Sequence, residues 1–271
     1  MESISITDKE FAQIREFIYT KTGISMGEAK KALVSGRLFK RLQYYGLRSF
    51  GEYYKLITGG TAPNELQMAI DLLTTNETYF FREEKHFEFL KTLVLPKVRH
   101  SGTYRVWSAA CSSGEEPYSV AMLLSDCLGG MDFEVLASDI STRVLDKARK
   151  GLYPMERVER IPPEYLKRYC LKGTGEYDGM LLVEKNLRSK VRFAQVNLIA
   201  PLPDVGQFDL IFLRNVMIYF DMDTKRQVVG QLMKQLKPDG FFFIGHSESL
   251  MGVTQKLTML RPSIYRHAPA Q

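Results

Sequence analysis

Residues 107–119 read WSAACSSGEEPYS, a run of small residues that leads into two glutamates, Glu115 and Glu116. Small side chains just after a first strand let the backbone approach a ligand closely, and the helix that follows presents its positive end there. A dinucleotide site would carry GxGxxG at this place to hold a pyrophosphate. That motif is absent, and two carboxylates would repel a phosphate. A cationic ligand fits better: S-adenosylmethionine is a sulfonium with an ammonium group and no phosphate. The plainer reading of either glutamate is an acidic first helical turn, which the helix dipole favours.

Other polar residues stand at strand ends, where open α/β sheets bind ligands. Asp139 follows the strand pattern of residues 133–138, where an acid bonds ribose hydroxyls; the plainer reading is a helix cap, which Ser141 already offers. Asn197 follows residues 191–196 and either reads an adenine edge or makes a turn. Arg214 and Asn215 follow residues 208–213 and precede Val216-Met217-Ile218-Tyr219-Phe220, an aromatic run ill suited to filling a core. Tyr219 is either a site residue or a buried, satisfied tyrosine. Upstream, residues 74–83 read TTNETYFFRE, in which Phe80 and Phe81 suit packing while Asn76, Thr78 and Arg82 form a polar set with no evident structural task.

These residues need elements to hold them. Residues 1 to 75 read as helices: Thr7 or Asp8 caps a first helix with Phe11, Ile14, Phe17 and Ile18 at helical spacing, and Gly23 stops it. A second helix runs from about Glu28 to Tyr45, with others near 50–58 and 62–73. From Tyr104 strands and helices alternate, which predicts βαβ units and a mostly parallel sheet. Strands are expected at 104–109, 133–138, 191–196, 208–213 and 241–245, with a final one near 263–267 closing the sheet edge. Helices are expected at 117–128, after Ser141 up to Gly151, and at 224–236 ahead of a turn at 237–240. Residues 152–190, with three prolines, GTGEYDG and a strand-like 180–183, read as a small inserted β-subdomain. The domains expected are therefore 1–75, helical, and 76–271, α/β.

The chain has 271 residues, 45% hydrophobic and 25% charged, enough for one full-sized domain and a smaller one. The N-terminus shows no signal-peptide pattern, and no apolar run approaches the roughly 20 residues of a membrane span, so a cytoplasmic location without membrane insertion is expected. Three dispersed cysteines suggest neither disulfide framework nor zinc site. The four histidines, His86, His100, His246 and His267, lack metal-ligand spacing, and no metal is expected. The net charge is +6, and six basic residues with no acidic one lie between Ala29 and Arg48. On the second helix Lys30, Arg37 and Arg41 project within about 20° of one line. They form either a docking face for an acidic partner or an ordinary solvated face.

Taken together, TTNETYFFRE, VWSAACSSGEEPYS, ASDIS, VNL, FLRNVMIYFD, LKPDG and GHSE resemble the bacterial chemotaxis receptor methyltransferases, which form glutamyl methyl esters on methyl-accepting chemotaxis proteins. The resemblance runs nearly the whole chain. It implies a class I, Rossmann-like methyltransferase sheet with an N-terminal helical domain and a small inserted β-subdomain. Carried over position by position, it implies a cofactor site for S-adenosylmethionine at Asn76, Thr78, Arg82, Glu116, Asp139, Asn197, Leu198, Arg214 and Asn215. Arg82 and Tyr219 match the pair proposed at the reacting centre. Receptor docking falls on Lys30, Arg37 and Arg41, and in some members the β-subdomain grips a peptide at the receptor C-terminus. A monomer is expected, and nucleic acid is not expected as a partner. Two rival readings are a class I methyltransferase for a small molecule or nucleic acid, and a catalytically silent scaffold. The absence of an NPPY-type motif speaks against a DNA amino-methylase.

Overall fold

A computed structural model describes residues 4–98 and 102–269. His100, one of the four histidines, lies outside them.

The N-terminal helices form as their caps dictate. α1 (Asp8–Thr22) opens with a capping box between Thr7 and Glu10, and Gly23 closes it in the left-handed conformation. The second helical segment is split: a 3₁₀ turn at Glu28–Lys30 precedes α2 (Lys31–Tyr45). α3 (Phe50–Thr58) and α4 (Glu65–Leu73) complete the unit. Their apolar faces meet in one core that includes Phe11, Ile14, Val34, Leu38, Phe50 and Tyr53.

The α/β part is a seven-stranded sheet in the order β6-β2-β1-β7-β8-β10-β9. β1 (Tyr104–Ser108), β2 (Phe133–Asp139), β6 (Val191–Gln195), β7 (Phe208–Leu213) and β8 (Leu236–Ile244) pair in parallel. β10 (Ile264–His267) runs antiparallel between β8 and β9 (Leu257–Arg261). Successive strands move outward from β1 in one direction and then, from β7, in the other. The crevice between β1 and β7 is thus the switch point where a ligand site is expected. Both faces of the sheet are covered, one by the core around Phe80, Tyr118 and Phe212, the other by that around Trp107, Ile211 and Phe242. Covering helices include α5 (Glu84–Phe89), α6 (Glu115–Cys127) and α7 (Thr142–Lys150). A separate antiparallel sheet, β3-β5-β4, with β3 (Leu152–Pro154), β4 (Cys170–Lys172) and β5 (Met180–Val183), carries the insertion together with α8 (Pro163–Tyr169). α9 (Lys185–Arg188) leads back to the main sheet, and α10 (Met222–Met233) joins β7 to β8.

Three sequence expectations are corrected. Residues 237–240 are not a turn outside the sheet but an excursion within β8: Phe208 pairs with Leu236 and Leu210 with Phe241, so β8 takes five steps where β7 takes two. β10 does not close the edge, because the unforeseen β9, mostly exposed, pairs outside it. Ser141 does not cap α7 with its side chain, and its buried hydroxyl has no partner. The cap comes from the helical domain: Asp71 of α4 accepts from the Thr142 backbone N–H at 2.9 Å and from its hydroxyl at 2.8 Å. A sequence pattern finds local caps; this one lies 71 positions away.

Candidate active site

Asn76, Thr78, Arg82, Glu116, Asp139, Asn197, Leu198, Arg214, Asn215 and Tyr219 all line one open cleft. It lies at the carboxyl ends of β1, β2 and β7. Lys30 reaches its rim, and Ile24, Ser25 and Met26 from the α1–α2 connection roof it. That roof was not anticipated, because a short loop between helices carries no site pattern.

The loop after β1 approaches this cleft because Gly114 adopts φ +96° and a Cβ there would meet Ala148 Cβ at 2.8 Å and the Tyr153 hydroxyl at 2.9 Å. The two glutamates then part. Glu115 is fully buried away from the cleft, accepting from the Ser113 hydroxyl at 2.7 Å and from Arg157 of the insertion at 3.1 Å. Burial raises its carboxyl above the usual range. Glu116 faces the cleft, accepting from the Ser108 hydroxyl and from Arg214 Nη1, both at 2.7 Å. The acidic pair in the sequence is therefore one structural and one site carboxylate.

Asp139, buried at the end of β2, accepts backbone N–H groups of Ser112 and Ser141 at 2.9 Å each. Burial raises its carboxyl, and these amides oppose the rise only in part. Asn197 uses both ends of its amide: Nδ2 donates to the Lys21 carbonyl at 2.7 Å and Oδ1 accepts from Ile199 N–H at 3.2 Å. It makes a turn, ties α1 to the sheet and lines the cleft at once. The Asn76 backbone carbonyl accepts from the Ser112 hydroxyl at 2.8 Å, which ties its segment to the loop after β1.

Arg214, 5% exposed, is the hub of the site. It donates to Glu116, to Glu83 Oε2 from Nη2 at 3.1 Å and Nε at 3.3 Å, and to the Arg82 carbonyl. Glu83 was missed at the sequence level although it closes the TTNETYFFRE stretch; its signal was a carboxylate beside a candidate arginine. It also accepts from Asn215 Nδ2 at 3.2 Å and from the His246 backbone N–H at 3.0 Å. Burial alone would raise its carboxyl, but Arg214 and these donors hold it below the usual range. His86, packed beside it, is pushed down to about 3 by burial and by Arg214.

Glu248, from the GHSE stretch, was also missed. It splints β7's exit to the end of β8, accepting backbone N–H groups of Gly245 at 2.6 Å, Met217 at 2.8 Å and Asn215 at 2.9 Å. Gly245 is required here, since a Cβ would sit 2.5 Å from Asn215 Nδ2. Positive φ at the non-glycine residues Phe81, Glu83, Ser112 and Asn215 brackets the cleft, so strained backbone is concentrated where side chains are aimed.

Arg82 and Tyr219 are among the groups at the cleft that retain free donors. Arg82 gives one hydrogen bond, from Nη1 to the Glu77 carbonyl at 2.8 Å, and leans on Tyr79. The hydroxyl of Tyr219, at the end of the 3₁₀ turn Met217–Tyr219, has no hydrogen-bond partner among the described residues. By contrast Arg37 and Arg41 of the basic stretch are engaged within the chain. Arg37 donates to the carbonyls of Leu73 at 3.1 Å and Thr74 at 3.0 Å, closing the end of α4. Arg41 grips Glu65 with Nε at 2.8 Å and Nη2 at 2.6 Å. Lys30 alone of the three is exposed without such a partner among the described residues.

The cleft suits the cofactor class read from the sequence. It presents the carboxylates Glu116 and Asp139, apolar walls from Val196, Leu198 and Phe220, and no glycine-rich phosphate cradle. No helix among the described residues is long and apolar enough to cross a membrane. Comparison with known proteins agrees with this chemistry. The chain is 43% identical over 267 residues to a chemotaxis protein methyltransferase of Escherichia coli, covering 97% of this chain and 92% of the relative. It is 43% identical over 265 residues to chemotaxis protein methyltransferase 2 of Pseudomonas aeruginosa, covering 97% and 94%. A chemotaxis protein methyltransferase of Borreliella burgdorferi matches at 39% over 275 residues, covering 97% and 96%. The model of the CheR methyltransferase all-alpha domain matches residues 9–74, and that of its SAM binding domain matches residues 76–265. With its S-adenosylmethionine-type cleft roofed by the helical unit, the chain belongs to the CheR methyltransferase family.

Proposed function

We propose that this methyltransferase forms methyl esters on glutamate side chains of methyl-accepting chemoreceptors in the cytoplasm, acting as a monomer. One observation carries the reading: the guanidinium of Arg82 and the hydroxyl of Tyr219, both with donors to spare, share the cleft that Glu116 and Asp139 line. Two uncommitted donors suit an anionic acceptor substrate.

S-adenosylmethionine, when bound, supplies a methyl group on a sulfonium. Asp139 sits where a ribose is held at a β2 end, and Glu116, anchored by Ser108 and Arg214, favours the cofactor's positive charge. Leu198, Asn197, Asn76, Thr78, Arg214 and Asn215 complete the walls. A glutamate with an ordinary pKa of about 4.3 is already ionised near neutral pH, so no general base is needed. Arg82 and Tyr219 orient the carboxylate; alignment of this kind contributes about 7–11 kcal/mol in well-oriented intramolecular reactions. Tyr219 steers more than it activates, since a strong bond to the attacking oxygen would blunt it.

Lys30, exposed at the rim, extends the positive surface toward a glutamate-rich receptor helix, with Arg37 and Arg41 behind it. The insertion offers β4, an edge strand with unpaired backbone groups, to a receptor C-terminal peptide. The test is transfer of labelled methyl from S-adenosylmethionine to receptor-containing membranes, followed by mild base. Label on the receptor, released as methanol, supports the reading, and Arg82→Ala or Tyr219→Phe should lower kcat with cofactor affinity largely kept for the latter. Base-stable label, or label on nucleic acid or small molecules, refutes it.

A further inference from the structure

Behind the Arg214 hub, three side chains converge that play no part in the proposed transfer. His86 is 1% exposed, and its Nε2 lies 2.6 Å from Ser263 Oγ. Ser263 Oγ in turn donates to the Pro262 carbonyl at 2.6 Å. When the Ser263 hydrogen points to that carbonyl, Ser263 accepts from His86, so Nε2 carries the ring proton and Nδ1 bears a lone pair. That Nδ1 is buried and has no hydrogen-bond partner, yet it lies 3.5 Å from Glu83 Oε2. In that tautomer two acceptors face each other with no hydrogen between them, an arrangement that favours a cation in the gap.

His246 supplies the third group. Its Nε2 is 3.9 Å from the same Glu83 oxygen, and its ring packs edge-on against His86 with centroids 4.8 Å apart. The three potential ligand atoms lie within 4.8 Å of one another. Bonds of about 2.0–2.2 Å to zinc bring tetrahedral ligand atoms to roughly 3.3–3.5 Å apart. The pair Glu83–His86 already meets this spacing, and the partly exposed His246 needs only a small shift. Two imidazoles and one carboxylate suit zinc or cobalt and not calcium or magnesium, which take oxygen ligands.

We propose that Glu83, His86 and His246 bind one divalent transition-metal ion of the zinc type, with Ser263 holding His86 in the tautomer that presents Nδ1. The site escapes a search for metal-ligand spacing because His246 stands 163 positions from Glu83. An ion there shares Glu83 with Arg214, which joins the metal site to the wall of the cleft through one carboxylate.

Titration of the full chain with zinc chloride alone, followed by calorimetry, reads the site without methyl transfer, so its outcome is independent of the substrate assignment. One equivalent should bind. His246→Ala, at a partly exposed position, should weaken binding by more than the roughly 10- to 100-fold that an outer-shell partner alone is worth, and Ser263→Ala should fall within that range. Cobalt should give the visible spectrum of a tetrahedral nitrogen and oxygen site. No stoichiometric binding, unchanged affinity in His246→Ala, or a thiolate charge-transfer band from a cysteine would overturn the assignment.

Discussion

Arg41 in the helical domain holds the buried Glu65 and Arg214 in the α/β domain holds the partly buried Glu83 and Glu116, and their surroundings differ in kind. Glu65 is 2% exposed, and both its oxygens are filled: Oε1 accepts from Arg41 and Tyr53, Oε2 from Arg41 and Tyr45. The pair is bidentate, and one cation faces one carboxylate. Arg214 instead divides its donors between two carboxylates and a carbonyl, beside Glu83 and Asn215 held at positive φ, against an open cleft. A closed ion pair makes structure. An overcommitted one, supported by strain, keeps charge available for a ligand.

The comparison is sharpest if each arginine is removed. Arg214→Ala leaves two carboxylates uncompensated and should cost about 3–5 kcal/mol of stability together with cofactor binding; denaturant titration and equilibrium dialysis check both, and retained cofactor binding would erase the distinction. Arg41→Ala should cost about 3 kcal/mol, because buried Glu65 loses its cation, while cofactor affinity stays within about twofold. A large loss of affinity there would make the helical hub part of the site. If receptor methylation falls in a folded Arg41 variant far more than in Lys30→Glu, docking belongs to the deeper residue.

The third difference concerns pH. His86 takes up a proton in the unfolded chain near 6.5 but in the folded one only near 3, since burial and then Arg214 depress it. A depressed folded pKa means that stability is full above 6.5 and falls as pH drops toward 3. At pH 5 this amounts to about 2 kcal/mol, from about 1.4 kcal/mol per unit. His86→Gln should flatten the stability curve across that window, whereas no histidine lies in the Glu65 cluster. The smallest effect expected is that of Tyr53→Phe, about 1.5 kcal/mol, because one of several donors to Glu65 is lost. Thermal or chemical denaturation reads it, with activity unchanged.

Much of the site is written locally. WSAACSSGEEPYS, Ser138-Asp139 and Arg214-Asn215 stand at strand ends that alternation reveals, and the βαβ rule then brings those ends to one edge. The fold class follows from the same periodicities, as do the caps at Thr7 and Gly23, since each involves residues within a turn or two of one another. What the residue pattern could not show is which of two adjacent glutamates turns inward, because Glu115 is drawn off by Arg157 of the insertion. Nor could it show that Arg37 and Arg41 are taken up by Leu73, Thr74 and Glu65, which the pairing of α2 with α4 brings within reach. The α7 cap from Asp71 and the roof at Ser25 likewise depend on contacts made only when the two domains close, and the meeting of Glu83 with His246 depends on the folding of the α/β domain itself. Periodicity and capping act over a few residues and so are fixed by sequence order; the partners of buried charges are chosen by the packed chain, where an unpaired charge is too costly to remain.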